Sequence, residues 1–240
     1  MSKCLVVPRK NLEALPSWQK LKANHGGVLH ALIPLTGEEV DAFLNTVISH
    51  GIFRERFGEG GVESDPNFQQ VIFYGTIVRG SDEFFVYKRG TQDASDRRLA
   101  SKLSVGVGGH IEPSDSNLID SLYRELDEEL LFVRRGMPIH FQESKKEQNK
   151  LNLDLFRKIA SLEIKGLIKN DSDDVGKVHV GLFCVIRLLS KSIGIEIKDK
   201  KENVSGSFVK RSEYEQHAGS TGNPEVWTQL VVGSDLFPCK

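Results

Sequence analysis

Val40, Phe43, Leu44, Val47 and Ile48 recur at i, i+3, i+4, i+7 and i+8, the spacing of one face of an α-helix. Thr36-Gly37-Glu38-Glu39, just before them, reads as a capping box: the Thr36 hydroxyl accepts from the Glu39 amide while the Glu39 carboxylate accepts from the Thr36 amide. His50-Gly51 is expected to close the helix with a left-handed cap. The stretch from Phe57 to Pro66 is dense in Gly and turn formers and marks a boundary. Beyond it the period changes. Gln70 to Val78 and Phe84 to Lys88 are β-branched and aromatic, and Arg79 to Glu83 between them has the composition of a hairpin turn. Further strands are expected at Ser104–Val107, Leu162–Lys169, Val178–Leu189 and Ser207–Val209, and a C-terminal helix over Asn223–Val232 with Pro224 in its first turn. Gln142 to Lys150 is charged and almost without apolar residues, a solvated loop or fraying helix. Strands and helices mix without a strict βαβ rhythm, which predicts an α/β (α+β) fold with a mixed sheet.

A second helix is expected over Asn117–Leu131. Leu118, Ile119, Leu122, Leu126 and Leu130 form its stripe, and Ser114, Asp115 and Ser116 offer N-cap oxygens. Beside the stripe, Glu125, Glu128 and Glu129 stand at i, i+3 and i+4 and gather on one sector. Three like charges so placed repel unless something neutralises them. Two readings are open: a solvated acidic patch paired with Arg124 or nearby lysines, or a site for a hard divalent cation such as Mg²⁺ or Mn²⁺, which carboxylate oxygens suit. Gly108-Gly109 upstream lets backbone approach a ligand closely.

Composition narrows the function classes. The chain has 240 residues, with 32 Lys+Arg against 33 Asp+Glu and a net charge of −1, which argues against a protein that coats nucleic acid or an acidic membrane surface. No apolar run is long enough to span a bilayer, and the polar start is no secretory signal. Cys4, Cys184 and Cys239 are odd in number, far apart and without a CxxC, so a disulfide framework or structural zinc site is not expected and a cytoplasmic setting is.

The segment from Gly108 to Glu129 resembles the signature of the Nudix hydrolases: a glycine, a spacer, an acidic residue, a second spacer, then Arg-Glu-apolar-any-Glu-Glu. The last unit stands intact as Arg124-Glu125-Leu126-Asp127-Glu128-Glu129, Gly109 fits the glycine, and Asp115 stands where the family usually has glutamate. The spacing from Asp115 to Arg124 is one residue longer than usual, and Leu131 replaces an expected glycine. The resemblance covers roughly Phe68 to Lys240 and implies an αβα sandwich. The expected division is therefore an N-terminal extension, residues 1–66, containing a helix and packing on a Nudix domain, residues 67–240.

The resemblance also implies an activity: hydrolysis of a pyrophosphate bond in a nucleoside diphosphate linked to another moiety, with Mg²⁺ or Mn²⁺. Glu125, Glu128 and Glu129 would hold the metal, with the Gly109 carbonyl as a further ligand and Arg124 orienting the carboxylates. His110, Arg89, Arg97 and Arg98 are candidate substrate contacts, and Glu202 is nominated as an extra base or ligand. His179, between Val178 and Val180, reads as a satisfied structural histidine. The partner implied is a small-molecule diphosphate, with neither membrane nor nucleic acid; a homodimer stays open. Two other readings are carried: a non-catalytic nucleotide sensor, against which the intact acidic cluster speaks, and a hydrolase of a non-nucleotide diphosphate.

Overall fold

The computed structural model describes residues 2–24, 28–90, 100–140, 153–198, 205–221 and 223–239. Arg97, Arg98, Glu202 and the charged loop at 142–150 lie outside them. In chain order the elements are β1 (Lys3–Pro8), α1 (Arg9–Glu13), α2 (Pro16–Asn24), β2 (His30–Pro34), α3 (Gly37–His50), β3 (Ile52–Glu55), a 3-10 turn at Val62–Ser64, β4 (Phe68–Arg79) and β5 (Glu83–Lys88). Then come β6 (Leu103–Ser104), β7 (Gly106–Val107), α4 (Asp120–Glu129), β8 (Leu130–Arg134), β9 (Met137–Ile139), α5 (Leu153–Ile159), β10 (Ala160–Asn170) and α6 (Asp174–Val178). The chain ends with β11 (His179–Leu188), β12 (Ile193–Ile197), β13 (Gly206–Lys210), α7 (Tyr214–Thr221) and α8 (Val226–Val232). Among the described residues no helix is long and apolar enough to cross a membrane.

The chain divides into two units. The first comprises Met1–Tyr74, Gly109–Ser121 and Ile164–Cys184. In it β1 pairs antiparallel with β3 (Lys3↔Glu55 to Val6↔Ile52) and with the start of β4 (Val6↔Gln70 to Pro8↔Phe68). β2 pairs antiparallel with β10 over Gly166↔Pro34 to Asn170↔His30. The core of this unit includes Leu12, Trp18, Leu21, Phe43 and Val47, all essentially inaccessible. The capping box at Thr36 and Glu39 forms as expected, with both reciprocal hydrogen bonds present, but Gly51 at the other end is extended (φ −70°) rather than left-handed, its amide donating to the Val47 carbonyl. The helix it starts buries less than its periodicity promised: Phe43 and Val47 are interior, Val40 and Leu44 half-buried, and Ile48 is 69% exposed. The Gly-rich stretch after β3 is packed at its end, where Val62 is buried with Cys4 and Val6.

The second unit comprises Gly75–Gly108, Leu122–Glu163 and Val185–Lys240. The expected hairpin is there, with Val78↔Phe84 and Arg79↔Glu83 paired and the Arg79 guanidinium 3.1 Å from the Glu83 carboxylate. β13 pairs with β5 from Gly206↔Tyr87 to Lys210↔Glu83, β6 pairs with β5, and β7 with β4. A separate sheet has the order β12-β8-β9. The strands expected at the termini of this reading shift for local reasons. β11 starts at His179 because Asp173 caps a one-turn helix, α6, its carboxylate accepting from the Gly176 amide at 2.6 Å. α8 starts at Val226, later than expected, because the backbone before it is extended and tied to Leu103, whose amide donates to the Asn223 carbonyl (3.1 Å) and whose carbonyl accepts from the Glu225 amide (3.0 Å). Cys4, Cys184 and Cys239 are free and buried.

Candidate functional site

The acidic helix is shorter than its apolar periodicity suggests. Asp115, expected at the N-cap, accepts from the Glu112 amide at 2.7 Å and closes the loop after the glycines. Asn117 takes the capping role, its side-chain oxygen accepting from the amides of Ile119 (3.1 Å) and Asp120 (3.2 Å), so α4 begins at Asp120. Of the predicted stripe, Leu122, Leu126 and Leu130 are buried, while Leu118 and Ile119 lie in the turn before the helix and are half-buried. A glycine sets how closely this face packs. A Cβ on Gly75 of β4 would stand 2.8 Å from the Ile186 side chain and 3.3 Å from that of Leu122, so the absent side chain is what admits α4 against the strand. At its other end the helix passes directly into β8, which pairs with β12 (Leu131↔Glu196), and the Lys198 amide caps the Glu129 carbonyl at 2.8 Å. Leu131 is thus a strand residue, which explains why no helix-ending glycine is needed there.

The box side chains of the second unit converge as a set. One Arg124 nitrogen, Nη1, donates to Glu125 Oε1 at 2.9 Å and to Glu128 Oε2 at 3.4 Å. Arg124 and Glu125 are mostly covered (16% and 15% exposed), whereas Glu128 is 54% exposed and open to solvent ligands. Asp127, the variable position of the motif, turns inward to Lys198, whose ammonium bonds its carbonyl and lies 3.6 Å from its carboxylate. One guanidinium bridges two of these carboxylates, and the cluster's donors are all hard oxygens; the residues present fit a divalent cation of the Mg²⁺ or Mn²⁺ kind.

Arg89 is held. Its Nε lies 2.8 Å from Glu225, which also accepts from the Ser104 hydroxyl at 2.6 Å. Thr228 extends the network by accepting from the Val105 amide at 3.1 Å, and the Tyr87 hydroxyl donates to the Gly106 carbonyl at 2.9 Å. Burial pushes the Tyr87 phenol far above its ordinary value; it would drive the Arg89 guanidinium down, but the negative groups around it, Glu225 first, together hold it above its ordinary value. Glu129 adds to both shifts, so its charge is felt at Tyr87 and Arg89. Glu225 was not singled out from the sequence. It looks like an ordinary first-turn residue, and only the fold brings Arg89 to it.

A different cluster stands in the first unit. Glu63, His110 and His179 bring one ligand-type atom each to within 4.8 Å of one another. Glu63 sits on the 3-10 turn, His110 follows Gly109 and makes a backbone bridge to Ile72, and His179 opens β11. The two imidazoles meet at Nε2···Nε2 3.2 Å. His179 fits its expected character as a satisfied histidine, its Nδ1 lying 2.7 Å from the Val175 carbonyl, but the company of His110 and Glu63 was not foreseen.

No protein-family model matches the chain. The Bacillus subtilis (strain 168) protein called Protein YmaB is 31% identical over 175 residues, a match covering 72% of this chain and 74% of that protein. Among solved structures, Tm1382, assigned to the Nudix hydrolases, superposes with a TM-score of 0.62 over 96% of each chain, at 23% identity.

Proposed function

This chain belongs by sequence to the family of Protein YmaB and by fold to the Nudix hydrolases, and on that premise we propose that it is a pyrophosphohydrolase cutting the phosphoanhydride of a nucleoside diphosphate joined to a further group. The observation that carries the reading is the cluster on α4: Arg124 bonded to both Glu125 and Glu128, with Glu128 facing solvent. Water adds to one phosphorus, the bridging oxygen leaves with the other phosphate, and a carboxylate accepts the proton released. Glu125, Glu128 and Glu129 would hold Mg²⁺ or Mn²⁺, which when bound neutralises diphosphate charge and makes a coordinated water more acidic. Arg124 keeps two of the three carboxylates aligned through charge-assisted hydrogen bonds, the task of a partner standing behind metal ligands. The buried Arg89–Glu225 pair fixes the strand ends beside Glu129 and keeps that region charged but internally compensated.

The division at residue 66 belongs to the same reading: residues 1–66 form an extension packing on the domain of residues 67–240, supported by the pairing of β1 with β4. Three buried free thiols suit a reducing cytoplasm. The test is a screen of nucleoside diphosphate sugars, dinucleoside polyphosphates and nucleoside triphosphates with Mg²⁺ or Mn²⁺, following phosphate after a coupled phosphatase. Turnover of one substrate class by the wild type and its loss in Glu128→Gln support the reading. Silence across the whole panel with either metal contradicts it.

A further inference from the structure

Glu63, His110 and His179 come from three separate stretches of the first unit, and each is fixed by its surroundings. His179 is fixed from two sides. Its Nδ1 faces the Val175 carbonyl at 2.7 Å, and a carbonyl only accepts, so Nδ1 carries the proton and the Nε2 lone pair points outward. That is how a metal-ligating histidine is usually oriented: the second ring nitrogen donates to a carbonyl and fixes the tautomer. Its backbone is pinned as well, because the wholly buried Lys169 ammonium donates to the carbonyls of Gly176, Lys177 (3.3 Å) and His179 (3.1 Å) and pairs with Asp171 at 2.6 Å. The tight loop above it requires glycine: a Cβ on Gly176 would stand 1.9 Å from the Asn170 carbonyl oxygen.

The other two groups are held as firmly. Arg56 donates to Glu63 Oε1 from Nε (3.2 Å) and Nη2 (2.8 Å), and the Glu63 amide donates to the Arg56 carbonyl at 3.0 Å. The neighbouring Val62 anchors that turn in the cluster with Cys4 and Val6. His110 is tied through its bridge to Ile72, and the next carbonyl, that of Ile111, accepts from the Leu5 amide at 2.9 Å. The surrounding charges balance, with Arg56, Lys169 and Arg9 against Glu63, Asp171 and Asp173. A tetrahedral ion with metal–nitrogen bonds of about 2.0–2.1 Å has ligand–ligand edges of roughly 3.3–3.4 Å. The 3.2 Å between the two Nε2 atoms is already such an edge.

We propose that Glu63, His110 and His179 form a second metal site, of two imidazoles and one carboxylate, that binds a borderline first-row divalent cation of the zinc type. Hard-ion chemistry belongs to the all-oxygen set on α4; two imidazole nitrogens select zinc and its neighbours. On binding, the His110 proton moves from Nε2 to Nδ1, so both Nε2 lone pairs reach the ion without a net loss of protons. Three protein ligands leave one position open to water. The site gives His110 a ligand's role in place of the substrate contact expected from its position after the glycines. It ties the 3-10 turn at residue 63, the bridge at 110 and the start of β11 together, so the ion stabilises the first unit by binding only its folded form.

Co²⁺ titration of the metal-stripped full-length protein, read by visible absorption, tests this independently of the hydrolytic reading. We expect about one equivalent with the intense d–d bands of a four- or five-coordinate ion, displaced by Zn²⁺, and a higher Tm with Zn²⁺. Glu128→Gln keeps these bands, whereas His179→Gln and Glu63→Gln lose them or bind at least about tenfold more weakly. His179 is buried, so if its variant does not fold, Glu63→Gln, checked by circular dichroism, decides alone. Absence of Co²⁺ bands in the wild type overturns the proposal. So does a folded Glu63→Gln that binds Co²⁺ as the wild type does, or loss of the bands in Glu128→Gln alone, which would place the ion on α4.

Discussion

The acidic cluster of α4 and the histidine cluster of the first unit are both sets of metal-ligand side chains, yet they are assembled in opposite ways. Glu125, Glu128 and Glu129 come from one helix, and their geometry follows from a helical repeat as soon as the helix forms. Glu63, His110 and His179 come from a 3-10 turn, a bridge and a strand start, and they meet only when three separate stretches of chain have folded. The first set is all hard oxygen and partly open to solvent; the second has two nitrogens and is largely enclosed. A local cluster can be lost by changing one charge without disturbing the fold. A dispersed one shares its fate with the packing around it.

The largest effect is expected from removing one charge on α4. Glu125→Gln should lower hydrolytic turnover by at least about 100-fold, because it removes the negative charge of one cation ligand and weakens the charge-assisted bond from Arg124, while circular dichroism and Tm stay near wild type. Turnover within a few-fold of wild type would sink the assignment. Removing residues 2–60 works on the other region. It takes away Val6 and Val7, both buried, and exposes the β4 edge they pair with. We expect poor solubility and a lower Tm, and equal expression with an unchanged Tm would show the extension to be a dispensable arm.

These contrasts explain what was legible in the sequence. The box helix, the β4–β5 hairpin and the Thr36 cap announce themselves through period, turn composition and local hydrogen bonding, and the structure has all of them. What the sequence did not disclose depends on distant partners. β1 and β2 are short apolar runs at residues 3–8 and 30–34 that became strands by pairing with β4 and β10. Asp115 looked like a cap until Asn117 took that place. Glu225, His179 and Glu63 carry no local signal of their tasks, since each is defined by residues far away in the chain.

Smaller changes refine the account. Leu122→Ala should cost about 2–5 kcal/mol in chemical denaturation, because Leu122 is fully buried where Gly75 admits it. Activity should fall along with it as α4 loses its seat, and an unchanged midpoint would mean that the helix is held otherwise. Thr36→Ala should cost about 1 kcal/mol and leave both clusters alone. Its partner Glu39 has a carboxyl held below the ordinary carboxylate value, first by the hydrogen bond from Lys20 and then by the Thr36 amide. A depressed folded value means that the unfolded chain binds the proton more readily, so this stability is present above the unfolded pKa and disappears as pH falls through the folded one. Glu39→Gln should therefore lose less Tm than wild type between neutral pH and about pH 3; parallel losses would contradict the linkage.

Whether the carboxylates of α4 are a cation site in their own right is read by electron paramagnetic resonance of Mn²⁺ titrated into the protein. Wild type is expected to quench the free-ion signal, the double variant Glu125→Gln/Glu128→Gln no longer to do so, and Glu63→Gln still to do so. Equal quenching by wild type and the double variant, both folded, would contradict it.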